Sequence, residues 1–218
     1  EINERIEFSA KEQLGNRYLR PLRALHEHAG GSHMLARAFA QGQVALRPDL
    51  VRAQAAIDAD FVRLQQVNDE QGATLKTESK FGVLMENRKY LKERVLTLKL
   101  ADQDALHVKF VTDVRELFSL VGDTSNLILD PDLDSYYLMD SVLLKLPAGA
   151  ELLAQARILG REILSRGTVR PEERTELIRL SSLIQSHLEQ ARAGMAVAFG
   201  SKTAQVLKPR LSEALQSY

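Results

Sequence analysis

Apolar side chains recur three and four residues apart through nearly the whole chain, and only an α-helix gathers such a spacing onto one face. The stripe reads Ile6, Ala10, Leu14, Tyr18, Leu22 and Leu25, then Leu50, Ala53, Ile57, Phe61 and Leu64, then Phe81, Leu84, Leu91, Val95 and Leu98. It continues through Leu106, Phe110, Val114, Leu117, Val121 and Ile128, through Leu152, Ala156, Leu159 and Ile163, and through Leu177, Leu180, Ile184, Leu188, Ala191, Met195 and Phe199. Arg88 stands on the third stripe where an apolar residue is expected. No strand is expected. Glycine and proline punctuate the pattern. Pro21 predicts a kink, and Gly30 and Gly31 an end or loosening before the helix resumes near Met34. Gly42 to Pro48 predicts a turn, Gly72 a break, Pro147 and Gly149 a further break, 167–170 a loop, and Gly200 with Ser201 a last interruption. Between Leu75 and Leu100 the pattern predicts one helix. Pro171 followed by Glu172 and Glu173 marks a helix start.

Six to eight helices with short connections imply an all-α fold: an elongated antiparallel bundle forming one domain over 1–218, built as two stacked four-helix-type modules if long helices are shared. A helix of about 40 residues spans ~60 Å, so a rod is expected. A length of 218 residues is enough to bury a core without staples. Formal charge is zero, with 29 basic and 29 acidic residues, which gives no reason to propose nucleic acid or an anionic membrane surface as partner. The chain has no cysteine, which excludes disulfides, thiolate metal sites and cysteine nucleophiles. No apolar run approaches the ~18 residues a membrane helix needs.

The densest stretch in chemistry is 122–146, GDTSNLILDPDLDSYYLMDSVLLKL. Pro131 divides it into the end of one helix and the start of another, so Asp130 and Asp132 are expected to cap and charge the new helix. Beyond Pro131 the sequence is apolar almost all round, which predicts a helix enclosed by neighbours. Asp140 shares a stripe with Leu133, Tyr137 and Leu144, a poor place for an unpaired carboxylate. Tyr136 and Tyr137 point about a third of a turn apart, which lets both line an interhelical cleft or both serve as core tyrosines. Asp123, Asn126, Tyr136, Tyr137 and Asp140 are the candidate ligand-binding groups here. Arg88 and Arg17 join them, each able to pair with Asp140 or to hold an anion by a forked contact.

The run DTSNLILDPDLDSYYLMD, with FSAKEQLGNRYLRPL near the start and RPEERTEL later, resembles the extracytoplasmic sensor domains of bacterial methyl-accepting chemotaxis proteins and related membrane-bound sensor kinases. The resemblance implies a periplasmic domain of an inner-membrane receptor, binding a small molecule or a ligand-loaded periplasmic binding protein and passing on a helix displacement. It also implies a parallel homodimer, with membrane contact only through segments outside this fragment. The output would be chemotaxis, or that of a histidine kinase or diguanylate cyclase. Relatives often carry His-Arg-Gly after the first long helix where this chain reads Gly31-Ser32-His33-Met34, which puts in question any function tied to that arginine. From a different class, a soluble helical scaffold binding a partner protein through one bundle face is the rival.

Other chemistries find less support. Asp130, Asp132 and Asp134 alternate like the start of a calcium loop, but the glycine and distant glutamate of an EF-hand are missing and Pro131 interrupts the ligand geometry. No metal site and no cofactor is expected. Phosphate loop, serine elbow and His-Glu zinc helix are absent, and so are the Glu and Glu-x-x-His sets of a helical di-metal centre, so no enzyme is expected. His26, His28 and His33 read as solvated histidines beside a glycine-rich break, since residues two apart on a helix face different ways. Gly31-Ser32-His33-Met34 also matches a common tag remnant, although helical patterning continues on both sides.

Overall fold

The computed structural model describes residues 2–129 and 133–200, and every regular element among them is helical. The α-helices are α1 (Ile2–Ala40), α2 (Arg47–Leu75), α3 (Glu78–Arg94), α4 (Leu100–Thr124), α5 (Leu133–Asp140), α6 (Leu146–Arg166) and α7 (Pro171–Gly200). Short 3₁₀ turns occupy Val44–Leu46 and Leu127–Leu129, and a π-turn at Ser141–Lys145 joins α5 to α6. The fold is an all-α helical bundle. It divides into two compact units, Glu1–Asn126 and Leu127–Tyr218.

In the first unit the side-chain pairs give the helix directions. Tyr18, Ser32 and His28 of α1 meet Asn68, Gln54 and Asp60 of α2, so partners fall on one helix as they climb on the other. Arg88 and Lys92 of α3 reach back to Asp58 of α2. Lys80 and Asn87 meet Glu116 and Asp113 of α4, and His26 and His33 of α1 meet Phe118 and His107 of α4. Each helix is therefore antiparallel to its two neighbours, the arrangement short connections dictate. Tyr18, Leu22, Leu25, Leu50, Ile57, Leu64, Leu84, Leu91, Phe110, Val114, Leu117 and Val121 fill the centre, as the stripes predict. Ile6, at 61 % exposed, and Ala10, also exposed, depart from their stripe, because α1 begins beyond the part its partners cover.

Several predicted breaks do not interrupt their helices. α1 runs through Gly30 and Gly31, and holds Pro21, where a kink was expected, inside the helix. Ser32 is buried and accepts a hydrogen bond from Gln54 Nε2 at 2.6 Å, while His33 contacts Asp104 and stacks on His107. Those tertiary contacts outweigh the ~1 kcal/mol that each glycine costs a helix, and they make Gly31-Ser32-His33-Met34 part of the fold. Gly72 lies inside α2, which ends four residues later where Lys76 turns left-handed at φ 55° and the Lys76 and Thr77 N–H groups both donate to Gly72 O. The helix expected over Leu75–Leu100 ends at Arg94, and α4 starts afresh at Leu100.

The described part of the second unit is a helical hairpin, in which Tyr137 meets Gly194 and Gly149 meets His187, so α5 and α6 run antiparallel to α7. The loop at 167–170 and the start at Pro171 agree with the sequence, Gly167 adopting φ 73° and the Arg170 N–H donating to Glu173 Oε2 at 2.9 Å. Pro147 supplies no N–H to the preceding turn and its ring crowds the carbonyl four residues earlier; the wider π-turn is what accommodates it. The expected enclosure of this segment is only half correct. Met139, Ser141 and Leu143 are buried, but Tyr136, Val142, Leu144 and Leu146 are exposed, because among the described residues α7 covers one side of the segment. A Cβ on Gly194 would sit 3.0 Å from Tyr137 Cδ1, inside van der Waals contact. Gly194→Ala is expected to lose about 1 kcal/mol in thermal unfolding, where an unobstructed helical glycine would gain about as much, and adding Tyr137→Leu should restore the gain.

Candidate functional site

Polar side chains on a bundle stripe need partners from other helices, and the first unit provides them in one layer. Arg88, 4 % exposed, stands between buried Leu84 and Leu91 on α3. Its Nη1–H donates to Gln54 Oε1, and its Nη2–H donates to Gln54 O at 3.1 Å and Asp58 Oδ1 at 2.9 Å. Lys92 Nζ donates to the other Asp58 oxygen at 2.6 Å. Gln54 sits between Leu50 and Ile57 on α2 and passes the chain on to Ser32 of α1. Ser32, Gln54 and Arg88 thus form a hydrogen-bonded line across three helices.

The fourth helix contributes Gln103 and His107, both fully buried, two turns and one turn before Phe110. Gln103 Nε2 donates to Val95 O at 2.7 Å. His107 Nδ1 lies 2.9 Å from Gln103 O; a carbonyl only accepts, so Nδ1 carries the proton and Nε2 keeps a bare lone pair. The His107 ring stacks on His33, with centroids 4.7 Å apart and planes 8° from parallel. His33 Nε2–H in turn donates to Asp104 Oδ1 at 2.8 Å, and Arg37 holds the other Asp104 oxygen. The layer is closed on one side by the apolar cluster of Ala36, Leu50 and Val95 with Leu35 and Phe39, and on the other the Phe61 ring lies between Phe81 and Phe110.

Burial governs the protonation states. It lowers His107 to about 3, helped by the nearby charges of His33 and Arg88, and lowers His33 to about 4, helped by Arg37. Both rings are neutral at pH 7. Burial works to raise Asp58, but hydrogen bonds from Lys92 and Arg88 outweigh it and hold the carboxyl below its usual range. Three buried atoms of the layer lack a hydrogen-bond partner among the described residues: Arg88 Nε, Gln103 Oε1 and His107 Nε2. A second polar cluster lies toward the other end of the unit, where Tyr18 and Thr77 hydroxyls both donate to Asn68 Oδ1 at 2.8 Å. Burial pushes Tyr18 up to about 12. Among the described residues no group of three or more His, Asp or Glu could hold a metal ion.

The residues expected to form the site are distributed differently. Arg88 is at the centre of the polar layer, where it pairs with Asp58. Arg17 is exposed and faces Glu70 at 3.8 Å. Asp123 is exposed, and Asn126 follows α4 in the left-handed region at φ 65°, where asparagine is tolerated as a helix stop. Tyr136, Tyr137 and Asp140 belong to the second unit. Tyr136 is 39 % exposed and meets the half-buried Tyr137 edge to face at 5.5 Å, and Asp140 is half-buried. Asp130 and Asp132 lie outside the described residues. Of the three histidines expected to be solvated, His26 is buried against Phe118 and His33 is in the layer, whereas His28 is exposed as expected, its side chain 44 % accessible while Nδ1 donates to the fully buried Asp60 at 2.6 Å.

No family model, curated protein or solved structure matches this chain. The layer itself was open to sequence reasoning at Arg88, an arginine on an apolar stripe. Gln54 carries the same signal between Leu50 and Ile57, and so do Gln103 and His107 seven and three residues before Phe110.

Proposed function

We propose that this chain is an extracytoplasmic ligand-sensing domain of a membrane receptor, a chemoreceptor or a related sensor kinase or cyclase, in which a small molecule docks between helices of the first unit. The observation that supports this reading is the polar layer to which α1, α2, α3 and α4 each contribute. A guest there touches every helix of the unit at once, so any preference for one helix arrangement becomes a displacement of ~1 to 2 Å that the long helices carry outward. The sequence resemblance of 123–140 points to the same class. No helix among the described residues is long and apolar enough to cross a membrane, so this reading assigns anchoring to other segments. A homodimer and a periplasmic setting belong to the same proposal.

Screening the protein by thermal shift against organic acids, amino acids, amides, nucleobases and oxyanions tests it. A ligand that binds only the folded form stabilises it by about 2.7 kcal/mol at a hundredfold excess over Kd. The expected result is a rise in Tm with one chemical class, lost in Arg88→Met. A flat response across all classes would overturn small-molecule sensing and favour recognition of a binding protein.

A further inference from the structure

We propose that the outward seam of α6 docks an acidic amphipathic helix of a partner protein. The proposal goes beyond the sensing reading and does not depend on a guest in the first unit. Leu146, Ala150, Leu153, Arg157, Gly160 and Leu164 follow one another at alternating spacings of four and three, which lines them along one side of α6 for ~27 Å. A separate line of Gly149, Leu152, Ala156, Leu159 and Ile163 is half-buried, with Gly149 against His187 of α7. The outward seam is open instead. Leu146, Leu153 and Leu164 are 41 %, 49 % and 82 % exposed, and a Cβ on Gly160 would meet nothing within 4 Å. On α7 the outward residues Ser182, Gln185, Glu189 and Arg192 are polar and exposed, as a solvated helix face requires. A leucine repeat left in water on the neighbouring helix is the pattern by which one helix takes up another.

Charge selects among the helices that could lie there. Arg157 occupies a core position of the repeat, and no carboxylate stands on the seam or beside it: the flanks are Gly149, Ala156 and Ile163 on one side and Pro147, Ala154 and Arg161 on the other. Arg157 is exposed and has no ion-pair partner among the described residues. A second copy of α6 would bring the same two arginines and no carboxylate to meet them, whichever way the helices ran. The chain's own 201–218, outside the described residues, holds Lys202, Lys208 and Arg210 against Glu213 alone, and so offers the same sign. A helix with large apolar residues on one stripe and Asp or Glu beside it covers the leucine row and pairs with Arg157.

Two fluorescent peptides of about three heptads, with leucine at the core positions and either glutamate or lysine beside them, are to be titrated with the whole chain by anisotropy. The expected result is binding of the glutamate peptide alone, weakened by salt, about tenfold weaker in Leu153→Asp, and turned to a preference for the lysine peptide in Arg157→Glu. Both positions are exposed, and circular dichroism checks each fold; should Leu153→Asp unfold, the reversal in Arg157→Glu decides. Gln185→Ala, on the outward face of α7, leaves binding intact. Equal binding of the two peptides, or none, overturns the proposal. Self-association of the chain that Leu153→Asp abolishes overturns it in favour of a second copy, and binding to phosphatidylglycerol vesicles lost in the same variant overturns it in favour of a membrane surface. Metabolite-induced shifts in Tm decide the sensing reading separately.

Discussion

Arg88→Ala is expected to cost the first unit about 3 kcal/mol, or roughly 10 °C in Tm. The substitution removes buried packing and strips donors from Gln54 Oε1, Gln54 O and Asp58 Oδ1 together. Asp58 is 39 % exposed and keeps Lys92, so part of its loss is recovered by water, and Gln54 O keeps its helical N–H; the buried Gln54 Oε1 has no such relief. Arg88→Lys should recover less than half, because a single ammonium cannot reproduce a fork aimed at three acceptors. Asp58→Asn should cost only about 1 kcal/mol, since an amide oxygen still accepts from Nη2. Urea denaturation of the four proteins, with the double variant closing the cycle, measures the coupling. An Arg88→Ala protein within 0.5 kcal/mol of the parent would show the line from Ser32 to Asp58 to be incidental.

Acidification should unfold the protein well above the range in which carboxylates titrate. His33 and His107 have folded-state pKa values of about 4 and about 3 against 6.5 for an unhindered imidazole, and burial lowers His26 too. Between pH 6.5 and those values the unfolded chain binds protons that the folded one refuses, so stability is full above 6.5 and falls as pH drops toward 4. The loss is on the order of 3 kcal/mol per layer histidine between pH 7 and 4. Asp104, held also by Arg37, pairs with His33, and the Arg88 charge acts on His107, so protonating both imidazoles would add like charges 4.7 Å apart among them. Asp58 acts in a separate window, adding its own loss only below about its unperturbed value of 3.8. His107→Phe preserves the stack and should remove roughly half of the layer's fall in stability between pH 6.5 and 4, the remainder belonging to His33. An unchanged slope in that variant would show that His107 does not cause it.

The helical architecture was legible because apolar spacing reports a physical requirement that each helix meets by itself. The stripes of α2, α3 and α4, the Gly167 stop and the Pro171 start follow from local chemistry and appear where expected. Glycine and histidine misled for the opposite reason. Gly30, Gly31 and Gly72 weaken a helix by amounts that contacts at Ser32, His33 and Asn68 exceed, and those contacts come from residues distant in sequence. His33 looks solvated when taken alone; only with His107 stacked on it, Asp104 on one ring and Gln103 O on the other, does it become half of an interior pair. Arg88 was visible as an oddity, and its partners were not, since nothing in periodicity says that Gln54 and Asp58 face it. The acidic and tyrosine-rich stretch drew attention by composition, which does not distinguish helix stops such as Asn126 from ligand groups.

The π-turn at Ser141–Lys145 has a bearing on how 133–166 is phased. Such a turn holds an additional residue relative to an ordinary coil of helix, and each residue of helix advances the azimuth by about 100°. Tyr136, Tyr137 and Asp140 are thereby rotated out of the register that α6 would impose on them. Deleting one residue between Ser141 and Lys145 would take out that surplus and leave Tyr137 at the notch on Gly194, whereas rewinding the same residues as ordinary α-helix would swing the tyrosines by about that angle and take Tyr137 off it.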